Sequence, residues 1–278
     1  MNQAESLPEF DSLRIDIEDA IAYLRLNRPQ RANAFHAPLW RSFPAALEWL
    51  ATQTQVRALI ICGEGEHFCS GVDVSMLAEL RGLVADPNRA TRGREALFDL
   101  ISRLQASFSA IERYPAPVIA AIHGACIGGG VDLISACDIR LCSADASFCV
   151  KEIDLAVVPD VGTLQRLSHV IGYSNVTELS YTAETFGADR AQALGLVSRV
   201  EQTPRSLMQT ARQMAQSIAR KSPATARGIK RNLQWARDHT VQDGLTYTAT
   251  WNAAMLVGED LSEAMAAFSE KRAPRFQD

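Results

Sequence analysis

The 278-residue chain carries six cysteines, at 62, 69, 126, 137, 142 and 149, but no CxxC pair and no histidine cluster beside them. That argues against a zinc site. The cysteines stand in apolar runs, where a thiol serves as a small hydrophobe, so a reducing compartment is expected. There is no basic run and no interleaving of basic and aromatic residues, and the net charge is −4; no nucleic-acid partner is expected. The first twenty residues have neither a basic nor an apolar region and include acids, unlike a signal or transit peptide. No apolar run approaches the roughly 20 residues of a membrane span. A cytoplasmic protein away from the membrane is therefore expected. GxGxxG, the P-loop and GxSxG are also missing.

What is present is a chain 47% hydrophobic, enough for a sizeable core. Leu13, Ile15 and Ile17 alternate with Arg14, Asp16 and Glu18, which predicts a strand, and residues 20–26 predict its hairpin partner. A helix is expected over 36–52, buried strands over 56–63 and 117–124, and helix over most of 74–114 with a break near Asp86-Pro87-Asn88. Strands are expected at "IRLCS", "SFCV" and 195–200. From Pro204 the pattern turns helical, at about 207–218, 223–238, 241–257 and 260–272, with Asp260 and Glu263 spaced like a capping box. The expected organisation is a mixed core over 1–203 and a helical region over 204–278.

Three stretches carry chemistry. In "HGACIGGGVD" (123–132) glycines open a helix. Such a turn serves either as a packing device or as a source of free backbone N–H groups that hold an oxyanion. "HFCSGVDV" (67–74) is a second small-residue turn. "KEIDLAVVPDVGTLQRL" (151–167) sets Glu152, Asp154 and Asp160 among apolar residues, where a carboxylate is costly unless paired or used. Locally, Glu152 reads as the end of a strand, Asp160 as a helix N-cap and Asp132 as a first-turn acid. His123 reads as a packing or hydrogen-bonding residue.

Five segments together resemble the crotonase family, the enoyl-CoA hydratase/isomerase superfamily: 23–35, 67–77, 117–148, 162–172 and 188–200. The resemblance implies an α/β fold, a spiral of ββα units with a C-terminal helical region that forms a trimer or a dimer of trimers. It implies an acyl-CoA thioester as substrate, with no metal and no cofactor beyond the coenzyme A of that substrate. The N–H groups of Ser70 and Gly129 would form the oxyanion hole. Ser70, Gly71, Val72, Asp73 and Val74 would line the site, and Arg31 would contact the coenzyme A phosphates. "GGGVD", "KE" and "DVGTLQRL" are similar to the pattern of Δ3,5-Δ2,4-dienoyl-CoA isomerases, with Asp132, Glu152 and Asp160 as the acids. The hydratase pattern has a second glutamate where Asp132 stands and a glycine where Asp160 stands. On that likeness Glu152 would take the C2 proton, Asp160 would protonate C6, Asp132 would position them, and Leu155, Val157 and Val158 would wall the acids in. An enoyl-CoA hydratase and a non-catalytic RNA-binding relative are the alternatives.

Overall fold

The computed structural model describes residues 8–76 and 90–277; the expected break at Asp86-Pro87-Asn88 lies outside them. Strands β1 (Leu13–Glu18) and β2 (Ile21–Leu26) form the antiparallel hairpin, with Leu13 opposite Leu26. Next come a 3-10 turn (Pro29–Arg31), helix α1 (Ala37–Ala51), strand β3 (Ala58–Gly63) and helix α2 (Ala90–Arg113). Strands β4 (Val118–Ile122) and β5 (Ala125–Ile127) lead into helix α3 (Gly129–Ser135). Strands β6 (Ile139–Ser143) and β7 (Ser147–Cys149) lead to a 3-10 turn (Glu152–Leu155) and helices α4 (Thr163–Ile171) and α5 (Tyr173–Thr182). Strand β8 (Phe186–Gly187), helix α6 (Ala188–Ala193) and strand β9 (Arg199–Glu201) complete this part. Helices α7 (Pro204–Ala219), α8 (Pro223–Arg237), α9 (Val241–Met255) and α10 (Glu259–Glu270) follow.

Six strands form one sheet in the order β1-β2-β3-β4-β6-β9, parallel from β2 onward, and β5-β7-β8 form a second. Successive side chains of a strand point to opposite faces, and here both faces are covered. Ala22, Leu24, Leu59, Ile61, Val118 and Ala120 enter the larger core, beneath α1 and α2. Ile21, Tyr23, Ala58, Ile60, Ile119 and Ala121 enter a second core. Leu207, Ala211 and Ala215 of α7 close that second core. The first helix after residue 203 thus belongs to the sheet's packing, and the helices that stand away from the sheet begin at α8.

Local chemistry explains the helix starts. Thr203 with Ser206 and Thr240 with Asp243 form capping boxes, each satisfying two otherwise open donors. Asp260 and Glu263 do not form one: α10 starts at Gly258 without a side-chain cap. Asp260 instead accepts a hydrogen bond from Ser222, the cap of α8, and Glu263 pairs with Arg272 at 2.6 Å. All six cysteines are buried and unpaired. Among the described residues, no helix is long and apolar enough to cross a membrane, and no group of three or more His, Cys, Asp or Glu is placed to hold a metal ion.

Candidate active site

The glycine turn is the frame of the site. Gly128 has φ +50, and a Cβ there would lie 3.1 Å from Glu152 Oε1, so both conformation and space call for glycine. Its N–H donates to Cys149 O at 2.9 Å, tying the turn to β7. The next N–H, that of Gly129, has no acceptor among the described residues. It stands at the first position of α3, where a helix leaves its donors open.

The second turn, 69–73, lies against the first. A Cβ on Gly71 would be 3.3 Å from Gly129 N, and one on Gly129 would be 3.4 Å from Val72 Cγ2. Which N–H faces the site is decided by pairing with Phe35. Phe35 N–H donates to Gly71 O at 2.7 Å and Asp73 N–H to Phe35 O at 2.9 Å. Val72, between them, has its N–H on the opposite side with no acceptor among the described residues. Ser70 does not fit its expected role, because its N–H is committed to Ala32 O at 2.9 Å. The open pair is therefore Val72 and Gly129.

The other expected lining residues divide in two. Asp73 is held by Arg28 at 2.8 Å and accepts from Ser75 Oγ at 2.8 Å. Those bonds keep its carboxyl well below the usual range, so it fastens the loop. Val74 is 66% exposed. Arg31 is exposed at the end of its 3-10 turn, and its carbonyl lies 3.5 Å from Ser70 Oγ.

The three acids differ sharply. Asp132 is buried on the first turn of α3, and its Oδ1 accepts the Thr163 N–H at 2.6 Å. It thereby caps α4, whose own N-cap position is Gly162 with no side chain to offer. Burial raises its carboxyl to about 6, against the lowering effect of the Thr163 bonds. Glu152 does not end a strand; it opens the 3-10 turn after β7. Its Oε1 faces Gly128, and its Oε2 is buried with no partner among the described residues. Burial, then the Asp132 charge, pushes it to about 7. Asp160 is not a helix cap, since that place is taken by Asp132. It is a partly buried carboxyl raised by burial.

Asp154 pairs with Lys151 on the surface, and His123 Nε2 meets Gly65 O at 2.9 Å, so neither enters the site. Of the expected apolar wall only Val157 is partly buried; Val158 is 70% and Leu155 51% exposed. Asp132 is buried where α3 meets α4, and the turn that carries Glu152 packs against α5. The result is two spare protonatable groups and two open N–H donors around one turn. Such an arrangement can move protons beside a developing oxyanion.

Comparison with known proteins identifies the family. The family model described as enoyl-CoA hydratase/isomerase matches residues 16–278. A protein of Arabidopsis thaliana named peroxisomal Delta(3,5)-Delta(2,4)-dienoyl-CoA isomerase is 45% identical, covering 98% of each chain. Its mitochondrial namesake in Mus musculus is 43% identical over 95% of this chain and 81% of its own. The crystal structure of an enoyl-CoA hydratase from Bacillus anthracis superposes with a TM-score of 0.86 at 29% identity, covering 96% and 99% of the two chains. A shared frame over nearly the whole chain, with the glycine turn and Glu152 set into it, leads to one conclusion: the chain is a member of the enoyl-CoA hydratase/isomerase family and has the crotonase fold.

Proposed function

We propose that the protein isomerises 3,5-dienoyl-CoA to 2,4-dienoyl-CoA in fatty-acid β-oxidation. The observation that carries this reading is Asp160, a carboxyl raised by burial that caps nothing and lies eight residues beyond Glu152. Relatives named for this reaction support it. Moving both double bonds into conjugation with the thioester removes a proton at C2 and adds one at C6. The two carbons are four bonds apart, so two acid–base groups suit the task better than one.

Ionised Glu152 takes the C2 proton, and the electron pair spreads into a dienolate whose negative oxygen lies between Val72 N–H and Gly129 N–H. Losing one such donor costs on the order of 10²–10³ in rate. Protonated Asp160 then delivers a proton to C6, and the two carboxyls reset by exchange with solvent. Asp132 holds the N-terminus of α4 and, by its charge, keeps the Glu152 carboxyl basic. Arg31, exposed beside Ser70, is the proposed contact for the coenzyme A phosphates. The chemistry asks for no metal and no further cofactor.

The region after α7 carries an exposed apolar surface, with Leu233 at 69%, Val257 at 90% and Phe268 at 87%. Isolated exposed apolar residues are ordinary, but a set this large marks an interface. A homotrimer or dimer of trimers is the proposed assembly. The relatives' names place them in the peroxisome and the mitochondrion, whereas the sequence led us to expect the cytoplasm.

The test is to supply a 3,5-dienoyl-CoA and follow the ultraviolet band of the conjugated product. Turnover is expected, and Asp160→Asn should abolish it. If the wild type instead hydrates 2-enoyl-CoA well and Asp160→Asn leaves that activity intact, the chain is a hydratase.

The dependence on pH is also fixed in sign. Glu152 must be ionised, so activity falls as acid protonates it. Asp160 must be protonated, so activity falls again as base ionises it. A bell-shaped kcat/KM profile is expected, with one limb near pH 7 from Glu152. A profile flat from pH 5 to 9 would sink the two-carboxyl scheme.

A further inference from the structure

The loop that presents Asp160 is held by backbone bonds to three separate elements. Asp160 O accepts from Gln105 Nε2 of α2 at 2.7 Å. Val161 O accepts from Arg166 Nη1 of α4 at 3.1 Å. Thr163 N–H is taken by Asp132 of α3. At the loop's start, Pro159 is buried and contributes a fixed φ. At its end, Gly162 has φ +128, and a Cβ there would fall 1.7 Å from Arg166 Nη1. The guanidinium therefore occupies the space that a side chain at 162 would need.

Arg166 is itself locked. Its side chain is 10% exposed, with Nε and Nη2 each 2.9 Å from Glu112 Oε2. Nη2 also lies 2.8 Å from Ser109 Oγ. Glu112 is held from its other side by Arg237 of α8 at 2.6 Å. A planar fork bonded on all sides keeps one geometry, which an ammonium on a flexible stem does not. Meanwhile the Asp160 carboxyl caps no helix, that place being taken by Asp132.

We propose that Gln105 and Arg166 are positioning residues for Asp160, aiming its carboxyl at the distal carbon of the diene without touching substrate. This rests on the isomerase reading above. Neither residue bonds to Glu152, and Arg166→Lys keeps the charge that acts on Asp132, so the two halves of the reaction should separate when these bonds are cut.

Gln105 is exposed, so Gln105→Leu removes one bond to the loop with little burden on folding. Arg166→Lys keeps the charge and removes the fork. Three quantities are read: kcat and KM on 3,5-dienoyl-CoA, the melting temperature, and deuterium uptake at C2 of recovered 3,5-dienoyl-CoA in D2O. That uptake reports C2 deprotonation alone.

Both variants are expected to lose about 10-fold to 10²-fold in kcat, the scale of a misplaced catalytic group. KM and C2 exchange should stay within about twofold of wild type, and Gln105→Leu should melt with the wild type. Unchanged kcat overturns the proposal. So does a parallel fall of kcat and C2 exchange, which reports general damage. A wild type that does not convert the diene at all overturns the functional reading itself, a result distinct from either.

Discussion

Glu152→Gln is expected to lower kcat on 3,5-dienoyl-CoA by about 10²–10⁴-fold, the usual contribution of a positioned general base. The replacement is nearly isosteric, so the contact with Gly128 and the 3-10 turn Glu152–Leu155 should persist. An amide cannot accept the C2 proton. It also sets an NH₂ group or a neutral oxygen where Oε2 now stands buried without a partner. Because the loss lies in the chemical step, KM should change little while kcat and kcat/KM fall together. Deuterium uptake at C2 should vanish as well, which separates this variant from Asp160→Asn. Residual activity within about tenfold of wild type would mean that another group takes the C2 proton.

The largest loss of stability is expected from Lys230→Met. Lys230 of α8 is buried, its Nζ 2.8 Å from Asp138 and within 3.1 and 3.2 Å of Ile111 O and Ala116 O. Asp138 also accepts the Val118 N–H at 2.7 Å, at the start of β4. One ammonium thus joins a C-terminal helix to the end of α2 and to the sheet. Removing it takes this donor from two carbonyls and leaves the Asp138 carboxylate without its counter-charge, held by the Val118 N–H. Breaking a buried pair from one side costs about 3–5 kcal/mol; because Asp138 is 26% exposed and water can reach it, about 2–4 kcal/mol is the scale to expect here. Chemical unfolding at one fixed protein concentration measures it. The double variant Lys230→Met with Asp138→Asn should lose less than the two single losses added, since each single change already breaks the same pair. Simple additivity, or a single loss below about 0.5 kcal/mol, would show that the pair does not fasten α8.

The strands were legible where one physical signal dominated. Alternation from Leu13 to Ile17 marked β1, and the unbroken apolar run at 117–124 marked β4. The glycines at 128–130 marked the turn that frames the site. What escaped depended on partners distant in the chain. Nothing near Ser70 says that its N–H will find Ala32, or that pairing with Phe35 will turn the Val72 N–H outward. Helix α4 is capped by Asp132, 31 residues earlier, so a local reading gave that place to Asp160. The strands β5 and β8 are too short to show a period of two. Gln105 looked like any polar residue on a helix surface, because its hydrogen bond crosses 55 positions. Glu152 was marked by its chemistry, but its turn was misjudged by three residues, since β7 ends at Cys149.

Gly128 has a consequence beyond its own conformation. Its N–H is bound to β7, its bare Cα leaves room for Glu152, and its peptide carries the open N–H of Gly129. The base and one oxyanion donor are thereby packed about a single joint. The Asp160 loop hangs from Gln105 of α2 and Arg166 of α4, and is tied to α3, the helix this joint opens, through Asp132 at the Thr163 N–H. Making the dienolate and choosing where its proton returns are, under the proposed chemistry, tasks of two segments that meet at Asp132. The side chain at 160 can therefore be changed to redirect the proton while Gly162, whose space Arg166 fills, and the enolate-forming joint stay as they are.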